Sequence, residues 1–448
     1  MAASPELTTA WKALAAKRAA YDRLFAYYDG DQETAYTVKR LAELFRDFRR
    51  FNANWCRRVV DVTLDRLTLT GATDDDALAE RIAPWWTEGE VATEARLAHE
   101  AALICGEGML GVWPEENAER VPEIYSLDPR LVHVAYVANR PRVRAWAAKF
   151  WVVDDGTMRA TVSFPDRIER WATRAQAANI TTAEAFEPDP EQPTVPNPFG
   201  QVPIFHLRVH HRRALSDLSD VIPLQAALNK LLADMMVSAE FGAFKQRYVI
   251  TDAETRGKLR NAAGEIWEFP AGSSVGELTA TELQNFLGAI ESLAAQIGAI
   301  SSTPKHYMLE GTAAQASGEA LIAQEAPLVA KVQDRIAAFT PTWRRALRFC
   351  AEIMGEDPAL IAPQWAPTNT IQPVTEAEIV AKYRQAGVPL PAALRRAGWT
   401  EEEIATALEE AALEEAARRE SLGMMMAAAQ VDFDRGTQEI VTEEPANV

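Results

Sequence analysis

One run of residues, Gly106-Glu107-Gly108-Met109-Leu110-Gly111, matches the GxGxxG pattern of dinucleotide-binding sites. Such a site needs a strand before the glycines and a helix after them, because the pyrophosphate sits at the helix N-terminus. Here the apolar spacing predicts the opposite order, a helix before and a strand after, with Pro114 close behind. We therefore interpret the glycines as a helix end followed by a tight turn into a strand.

Three histidines, His206, His210 and His211, lie close enough in sequence to be considered as metal ligands. On an extended segment, positions 206 and 210 share a face and position 211 does not. Cations interleaved with the histidines would disfavour a divalent metal ion. They are Arg208, Arg212 and Arg213. A surface or interface strand end is the better interpretation of this group.

The remaining chemical signals are weak. The acidic run Asp74-Asp75-Asp76 is typical of a solvated loop that caps a helix rather than of a magnesium site. The sequence contains no Walker-A lysine, no G-x-S-x-G and no H-E-x-x-H motif. We therefore predict a protein that is not an enzyme and has no cofactor or metal. The alternative is a cytoplasmic enzyme with an unrecognised site in the N-terminal half, built on Glu107 or the histidines.

Composition limits the class of protein further. The chain has 448 residues, of which 48% are hydrophobic and 25% charged, as expected of a folded protein with two to four domains or one elaborated one. The three cysteines, Cys56, Cys105 and Cys350, are far apart, so buried reduced thiols and cytoplasmic synthesis are expected. Neither a secretory signal nor an apolar run long enough for a membrane span is visible.

The net charge of −18 has the wrong sign for a protein that binds DNA tightly at a fixed position, because such proteins carry basic patches. A protein that lets DNA slide would benefit from excess negative charge. Ordinary solubility charge explains the same composition.

The elements that position these residues follow from hydrophobic periodicity, which predicts an α+β fold that is predominantly helical. The predicted helices of the first half are 7–28, 52–67 and 91–105. The predicted strands are 109–113, 124–125, 132–137, 145–153, 158–164 and 167–171, with a hairpin turn at Asp154-Asp155-Gly156.

The second half begins after a proline-rich extended connection, 188–203. A helix capped by Asp217 or Ser219 should run to about Phe244, roughly 40 Å at 1.5 Å per residue. A compact segment, 245–280, should contain strands at 248–250 and 265–269. The next helix should begin at one of two capping boxes, Thr279-x-x-Glu282 or Thr281-x-x-Gln284, and a further helix, 317–354, should bend at Pro327 and Pro341. An acidic helix opened by Thr400 and a disordered tail from Thr437 close the chain.

Two groups of side chains in this half could contact partners. The basic residues of the compact segment and its aromatic pair favour either a docking surface for a protein or a solvated helix face. They are Arg256, Lys258, Arg260, Trp267 and Phe269. Lys305 and His306 could face a nucleic acid, although a capped turn is the better interpretation of these two residues taken alone.

Five segments in a fixed order resemble the portal (head-to-tail connector) proteins of tailed bacteriophages. The resemblance covers about residues 10 to 365 and depends on the order of the segments, since none is diagnostic alone. They are Tyr27-Tyr28-Asp29-Gly30, Asn54-Trp55 to Asp61, Asn197-Pro198-Phe199-Gly200-x-Val202-Pro203, the run from Ser216 to Gln225 continued by Leu228 to Leu232, and Ser317-Gly318-Glu319-Ala320-Leu321.

The resemblance implies a portal-type fold with named parts. These would be an α+β wing (1–215), a two-helix stem (216–244 and 281–302) around a small β-containing clip (245–280), a tunnel loop (303–316), a long spine helix with the wing return (317–366), and a helical crown with the C-terminal tail (367–448). Residues of the loop that the resemblance would place facing DNA are Lys305, His306, Glu310, Thr312 and Gln315. The clip residues for partner docking would be the basic and aromatic ones named above.

The resemblance also implies a function. Identical copies, usually twelve, would form a homo-oligomeric ring at one capsid vertex of the virion, assembled in the bacterial host cytoplasm. The ring would pass double-stranded viral DNA without sequence preference during packaging and ejection, away from any membrane. Its expected partners are the terminase large subunit, a head-tail adaptor protein, and the major capsid and scaffolding proteins. Wedge-shaped subunits that repeat head to tail close into a ring when the rotation divides evenly.

Overall fold

Two compact units, Met1–Asn369 and Thr370–Val448, make up the protein. The structure, a computed structural model, describes residues 3–32, 53–115, 118–210, 214–243, 247–250, 274–277, 282–308, 318–368, 373–397, 399 and 403–413. The helices are α1 (Pro5–Asp29), α2 (Trp55–Leu64), α3 (Asp76–Glu88), α4 (Val91–Cys105), α5 (Ile222–Ala243), α6 (Leu283–Ser301), α7 (Gly318–Met354), α8 (Pro373–Gln385), α9 (Leu390–Ala397) and α10 (403–413).

The strands are β1 (Leu69–Thr73), β2 (Glu107–Glu115), β3 (Ala118–Leu127), β4 (Val132–Val137), β5 (Arg140–Val152), β6 (Thr157–Ser163), β7 (Arg167–Gln176), β8 (Phe186–Pro188), β9 (Thr194–Pro196), β10 (Ile204–Arg208), β11 (Arg247–Ile250), β12 (Ser274–Glu277) and β13 (Ile361–Trp365). This mixture of helices and antiparallel strands confirms the predicted α+β class.

Helix ends follow the predicted local chemistry in the first half. The Ser4 hydroxyl accepts a hydrogen bond from the Leu7 amide at 3.2 Å and starts α1, and Gly30 ends it with φ of 83°. The Asp75 carboxylate accepts from the Leu78 amide at 2.8 Å, which confirms a capping role for the acidic run. Gly106 ends α4 with φ of 81°, as predicted for the glycine motif, and β2 begins at the next residue.

Two antiparallel sheets form the N-terminal body. The larger sheet has the order β4-β5-β6-β7-β8, and β9 also pairs with β7. The N-terminal half of α1 covers it, since Leu7 and Leu14 share a buried cluster with Phe150 and Phe186. The smaller sheet has the order β10-β2-β3, with Phe205 opposite Leu110. The predicted strands are therefore present, most of them longer than predicted.

Helix α7 runs through the main hydrophobic core. Phe339 and Trp343 are fully buried in a cluster that also contains residues of α2, α4 and β10. Pro327 and Pro341 lie inside this one continuous helix, so neither ends it. The three cysteines are buried and free, as predicted, and burial raises the pKa of each thiol.

Three predictions about the second half were wrong or incomplete. Helix α5 begins at Ile222, so neither Asp217 nor Ser219 caps it. Helix α6 has Glu282 at its N-cap position with no side-chain cap hydrogen bond, so the capping boxes do not start it. Strand β12 was not predicted; it pairs with β11 through Ile250 opposite Ser274. The predicted strand 265–269 lies outside the described residues.

The second unit is described by three helices, α8, α9 and α10. Gly387, with φ of 83°, follows the end of α8, and Arg396 of α9 lies 5.3 Å above the Tyr383 ring. Leu394 and Ile404 are buried. Thr400 and the tail from Thr437 lie outside the described residues.

None of the helices in the described part of the chain is long and apolar enough to cross a lipid bilayer.

Candidate functional site

The segment that joins α6 to α7 was predicted to contact DNA, and the structure describes it as far as Met308. It leaves α6 through Ser302, whose φ is 59°, and the Thr303 amide donates back to the Gly298 carbonyl at 2.8 Å. Gly298 permits this turn, because a Cβ there would lie 2.9 Å from the Thr303 carbonyl oxygen. The turn continues as a short 3-10 helix, Lys305–Tyr307.

Lys305 and His306 face different surroundings on that short helix. Lys305 is exposed. His306 is 15% exposed, and its Nε2 lies 2.9 Å from the Glu325 carboxylate on α7. Glu325 also pairs with Arg66 at 2.5 Å, and Arg66 donates to the Tyr307 hydroxyl at 3.0 Å. Arg66, Glu325 and His306 therefore anchor the start of the segment to the body and leave Lys305 as its exposed cation.

The other predicted DNA-facing residues, Glu310, Thr312 and Gln315, lie outside the described residues. So do the predicted docking residues Arg256, Lys258, Arg260, Trp267 and Phe269. The structure describes the strands on either side of that docking segment, β11 and β12, which pair antiparallel with Arg247 opposite Glu277.

A buried ion cluster joins the turn before α5, the end of α6 and the middle of α7. The Asp217 side chain is 4% exposed and lies 2.9 Å from Arg335 Nη2 and 2.8 Å from Lys331 Nζ. Lys331 also donates to the Ser301 carbonyl at 3.3 Å. Burial acts to raise the pKa of Asp217, but the two cations hold it below its usual range. Asp217 is therefore a long-range anchor rather than the helix cap that sequence reasoning predicted.

The helix pair, α5 with α6, is well buried only where it meets the body. On α5, Leu228 is fully buried, whereas residues 231–239 are all half-buried. On α6 the buried residues, Ala294 to Ser301, lie in the C-terminal half. Apolar side chains remain exposed along α6 and at the start of α7. They are Leu283 (39%), Leu287 (40%), Ile300 (53%) and Ile322 (41%).

The alternative site, on Glu107 and the histidines, is a closed network. Glu107 forms an ion pair with Lys17 and accepts hydrogen bonds from Tyr21 Oη at 2.7 Å and from His206 Nε2 at 3.0 Å. The other ring nitrogen of His206 lies 3.0 Å from Tyr136 Oη. Both oxygens of Glu107 and both nitrogens of His206 are thus engaged within the fold.

The histidines were predicted to lie at a surface or interface strand end, and His206, 8% exposed at the side chain, does not lie at an open surface. The reason is that its strand, β10, pairs with β2 and places His206 opposite Met109, beside the Glu107 carboxylate. Burial acts to raise the pKa of Glu107, but His206 and Lys17 hold it below its ordinary value. Within the described residues, no group of three His, Cys, Asp or Glu side chains could hold a metal ion.

Sequence reasoning missed Arg66, Glu325 and the role of Asp217. The available signal was the position of Asp217 inside the Ser216–Gln225 run that carries much of the family resemblance. Nothing in the local pattern distinguishes a carboxylate that caps the next helix from one that pairs with cations more than a hundred residues away.

Comparison with known proteins gives a consistent result. The model of the family described as "Phage portal protein, SPP1 Gp6-like" matches residues 9–420. The portal protein of Mycobacterium phage L5 is 26% identical over 329 residues, which are 66% of this chain and 64% of that protein. The portal protein of Mycobacterium phage D29 is 26% identical over 338 residues, with the same coverage. The matched region thus spans about 64% of the length of these relatives.

Solved structures with a similar chain include the "Neck of native GTA particle computed with C12 symmetry", at 13% identity and a TM-score of 0.45, covering 77% of this chain and 89% of that one. Another is the "Neck of empty GTA particle computed with C6 symmetry", at 15% identity and a TM-score of 0.47, covering 82% and 94%.

Proposed function

Because the chain belongs to the SPP1 Gp6-like family of phage portal proteins, we propose that it forms a homo-oligomeric ring, usually of twelve copies, at one capsid vertex of a virion. The ring is the channel for packaging and ejection of double-stranded viral DNA. Membership of a structural family supports a role without catalysis or cofactors. Synthesis and assembly take place in the bacterial host cytoplasm.

The observation that carries this proposal is the incomplete burial of the helix pair. Neither helix has a fully buried described side chain in the half that lies away from the body, although both are rich in apolar residues there. Burying apolar surface is worth about 25 cal/mol per Å², so a neighbouring copy on this surface gains substantial free energy. A head-to-tail repeat covers the same surface on every copy and closes as a ring when the rotation divides evenly.

In this ring, residues 1–215 form the wing, 216–244 and 281–302 the stem, and 245–280 the clip. Residues 303–316 form the tunnel loop, 317–366 the spine helix with the wing return, and 367–448 the crown and tail. The anchored turn at 303–308 supports a loop with fixed ends, because His306 and Tyr307 are tied to Glu325 and Arg66.

Passage of DNA requires weak contact that does not depend on sequence. The excess of acidic residues, 64 against 46 basic ones, repels phosphate at a distance. An exposed cation such as Lys305 on the loop gives shallow phosphate contacts, which carry no sequence information. Glu310, Thr312 and Gln315 complete the DNA-facing loop in this proposal.

The clip supplies the docking surface. Arg256, Lys258 and Arg260, with the aromatic pair Trp267 and Phe269, contact the terminase large subunit during packaging and the head-tail adaptor protein afterwards. The major capsid and scaffolding proteins contact the ring at the vertex. Replacing the three cations with Glu should leave rings intact and abolish terminase and adaptor binding in a pull-down; undiminished binding contradicts this docking role.

The direct test is negative-stain electron microscopy of the purified chain. We expect end-on views of closed rings with a central hole. A monomer or dimer at every protein and salt concentration contradicts the proposal and returns attention to an enzyme hidden in the N-terminal body.

A further inference from the structure

A cluster of four arginines lies where β4, β5, β10 and α7 meet. Arg144 on β5 is opposite Tyr136 of β4 in the sheet register, and Arg208 on β10 lies 4.7 Å above the Tyr136 ring. Arg208 Nη2 donates to the Pro141 carbonyl at 3.2 Å, next to Arg142. Arg345, on α7, completes the group, which we call the arginine cluster: Arg142, Arg144, Arg208 and Arg345.

The charges of these arginines act on one another and on the phenol between them. Burial, and then the charge of Arg345, lowers the pKa of Arg144 to about 10. Burial also lowers the pKa of Arg345, and Arg208 and Arg142 add to that decrease. Burial raises the pKa of Tyr136, while Arg208, Arg144 and Arg345 act against the increase. Hydrogen bonds connect Arg345 to the same place: its Nη2 donates to the Thr342 hydroxyl, which donates to the His206 carbonyl at 3.2 Å, and His206 Nδ1 lies 3.0 Å from Tyr136 Oη.

No carboxylate among the described residues forms an ion pair with any member of the arginine cluster. Arg144 donates to the Ile204 carbonyl at 2.9 Å and Arg345 to the Thr342 hydroxyl at 3.0 Å, and both acceptors are neutral. Glu107 is connected to the cluster through His206 and Tyr136, but its charge is balanced by Lys17. Four like charges without a counter-charge are unexpected in a chain with a net charge of −18.

We propose that the arginine cluster is a binding site for phosphate groups. The four cations come from one sheet, a second sheet and a helix, so they approach a ligand from different directions. A phosphate offers several strong acceptor oxygens in a tetrahedral arrangement and can bind more than one guanidinium at once. A carboxylate offers two oxygens in one plane, which suits a single bidentate arginine. Arg142 and Arg345 are exposed, so the site is open to solvent.

The phosphate comes either from free phosphate compounds or from the backbone of nucleic acid, and the test separates these sources. The site is separate from the tunnel loop, since every residue in it belongs to the N-terminal body or to α7. It also gives an acidic protein a local positive surface.

The test compares the wild type with R142Q/R345Q, which removes the two exposed cations and leaves the half-buried Arg144 and Arg208 in place. The matched control is R81Q/R174Q, which removes the same charge from two exposed arginines that have carboxylate partners, Glu356 and Glu187. Isothermal titration calorimetry with pyrophosphate and with a short DNA duplex measures binding.

We expect the wild type and the control to bind at least one of these probes, and R142Q/R345Q to bind it about tenfold or more weakly. If DNA is the ligand, the dependence of log K on log salt becomes shallower by about two in R142Q/R345Q. Pyrophosphate binding without DNA binding identifies a free phosphate compound. Equal affinities in the two variants, no binding by the wild type, or tighter binding of polyglutamate than of either probe overturns the proposal.

A thermal measurement separates ligand binding from a structural role. At low ionic strength without phosphate, R142Q/R345Q should have a melting temperature equal to or above that of the wild type, because it loses repulsion and no ion pair. Pyrophosphate at constant ionic strength should raise the melting temperature of the wild type and the control only. The proposal is contradicted if R142Q/R345Q has a lower melting temperature than the wild type without ligand and pyrophosphate raises the melting temperature of both proteins by the same amount.

Discussion

The N-terminal body and the helix pair differ in how completely their side chains are buried or hydrogen-bonded within one chain. In the body, the buried Glu107 has specific partners, Tyr21 and His206. In the helix pair, the buried contacts are confined to the end next to the body, and Leu283, Leu287 and Ile300 remain exposed. The comparison indicates that the body buries most of its apolar side chains within one chain, whereas the helix pair does not. In the proposed ring, a neighbouring copy covers the helix pair.

The first prediction tests the anchor between the two regions and has the largest expected effect. The substitution D217A leaves the buried Lys331 without its carboxylate and Arg335 with only the exposed Asp334, while the two cations are 12% and 9% exposed. Removing one partner of a buried ion pair costs about 3–5 kcal/mol, and we expect a loss of this size in the free energy of unfolding, measured in urea.

The control for this prediction is D334N. Asp334 also pairs with Arg335, at 2.6 Å, but its side chain is 67% exposed. Exposed pairs contribute about 0–1 kcal/mol, so D334N should change little. Equal losses for D217A and D334N contradict the assignment of Asp217 as the anchor.

The second prediction concerns the turn from α4 into β2. In G106A, the added Cβ meets Leu215 N at 2.3 Å, and Ala must adopt a φ of about 81°. Left-handed backbone costs about 1–2 kcal/mol and overpacking about 1–3 kcal/mol, so we expect a total loss of about 3 kcal/mol in urea unfolding. Gly200 has φ of 66°, and a Cβ added there would meet nothing within 4 Å, so G200A should show only the backbone part.

Equal losses for G200A and G106A would contradict this account, because they would show that the close approach of residues 214 and 215 adds nothing to the requirement for glycine at position 106.

The third prediction concerns pH. His99 is fully buried, accepts a hydrogen bond from Trp343 Nε1 at 2.7 Å, and donates through Nδ1 to the Leu67 carbonyl at 3.1 Å. Burial lowers its pKa from 6.5 to about 3. Below pH 6.5 the unfolded chain takes up a proton that folded His99 does not, so unfolding becomes more favourable as pH falls. Between pH 6.5 and 5 this group should reduce the free energy of unfolding by about 2 kcal/mol.

The measurement is urea unfolding at several pH values for the wild type and H99Q. The wild type should lose about 2 kcal/mol more than H99Q over that interval, since all other titrating groups are shared. Identical slopes for the two proteins show that His99 does not stay neutral in the fold.

The fourth prediction has the smallest expected effect on folding and tests the helix pair itself. In L283S/L287S, two exposed apolar side chains are lost. The circular dichroism spectrum of the isolated subunit should be unchanged, and its free energy of unfolding should change by no more than about 0.5 kcal/mol. The fraction of protein in rings should fall sharply. The control, V152S, removes a side chain on β5 that is 53% exposed and should leave the rings intact.

Helices with a clear apolar period were predicted well because their burial pattern is local. The predicted helix 91–105 is α4 itself, and the glycine after it ends the helix for the predicted reason. Strands β4 and β6 were found within a residue or so for the same reason, since alternation sets which face is buried.

Contacts between distant parts of the chain could not be predicted in this way. Asp217 looked like a helix cap because the cations it binds, Lys331 and Arg335, come from another helix. The arginine cluster was missed because Arg142, Arg208 and Arg345 meet only after three separate elements pack together. The predictions for the clip and for the inner part of the tunnel loop fall outside the described residues and stay predictions.

The most direct test of the account is mass photometry of the wild type beside L283S/L287S and V152S. We predict one closed assembly of about a dozen chains for the wild type and V152S, and mainly free subunits for L283S/L287S. Rings that form equally well in all three proteins would contradict the claim that the helix pair is completed by its neighbours, and so would a wild type that remains a single chain.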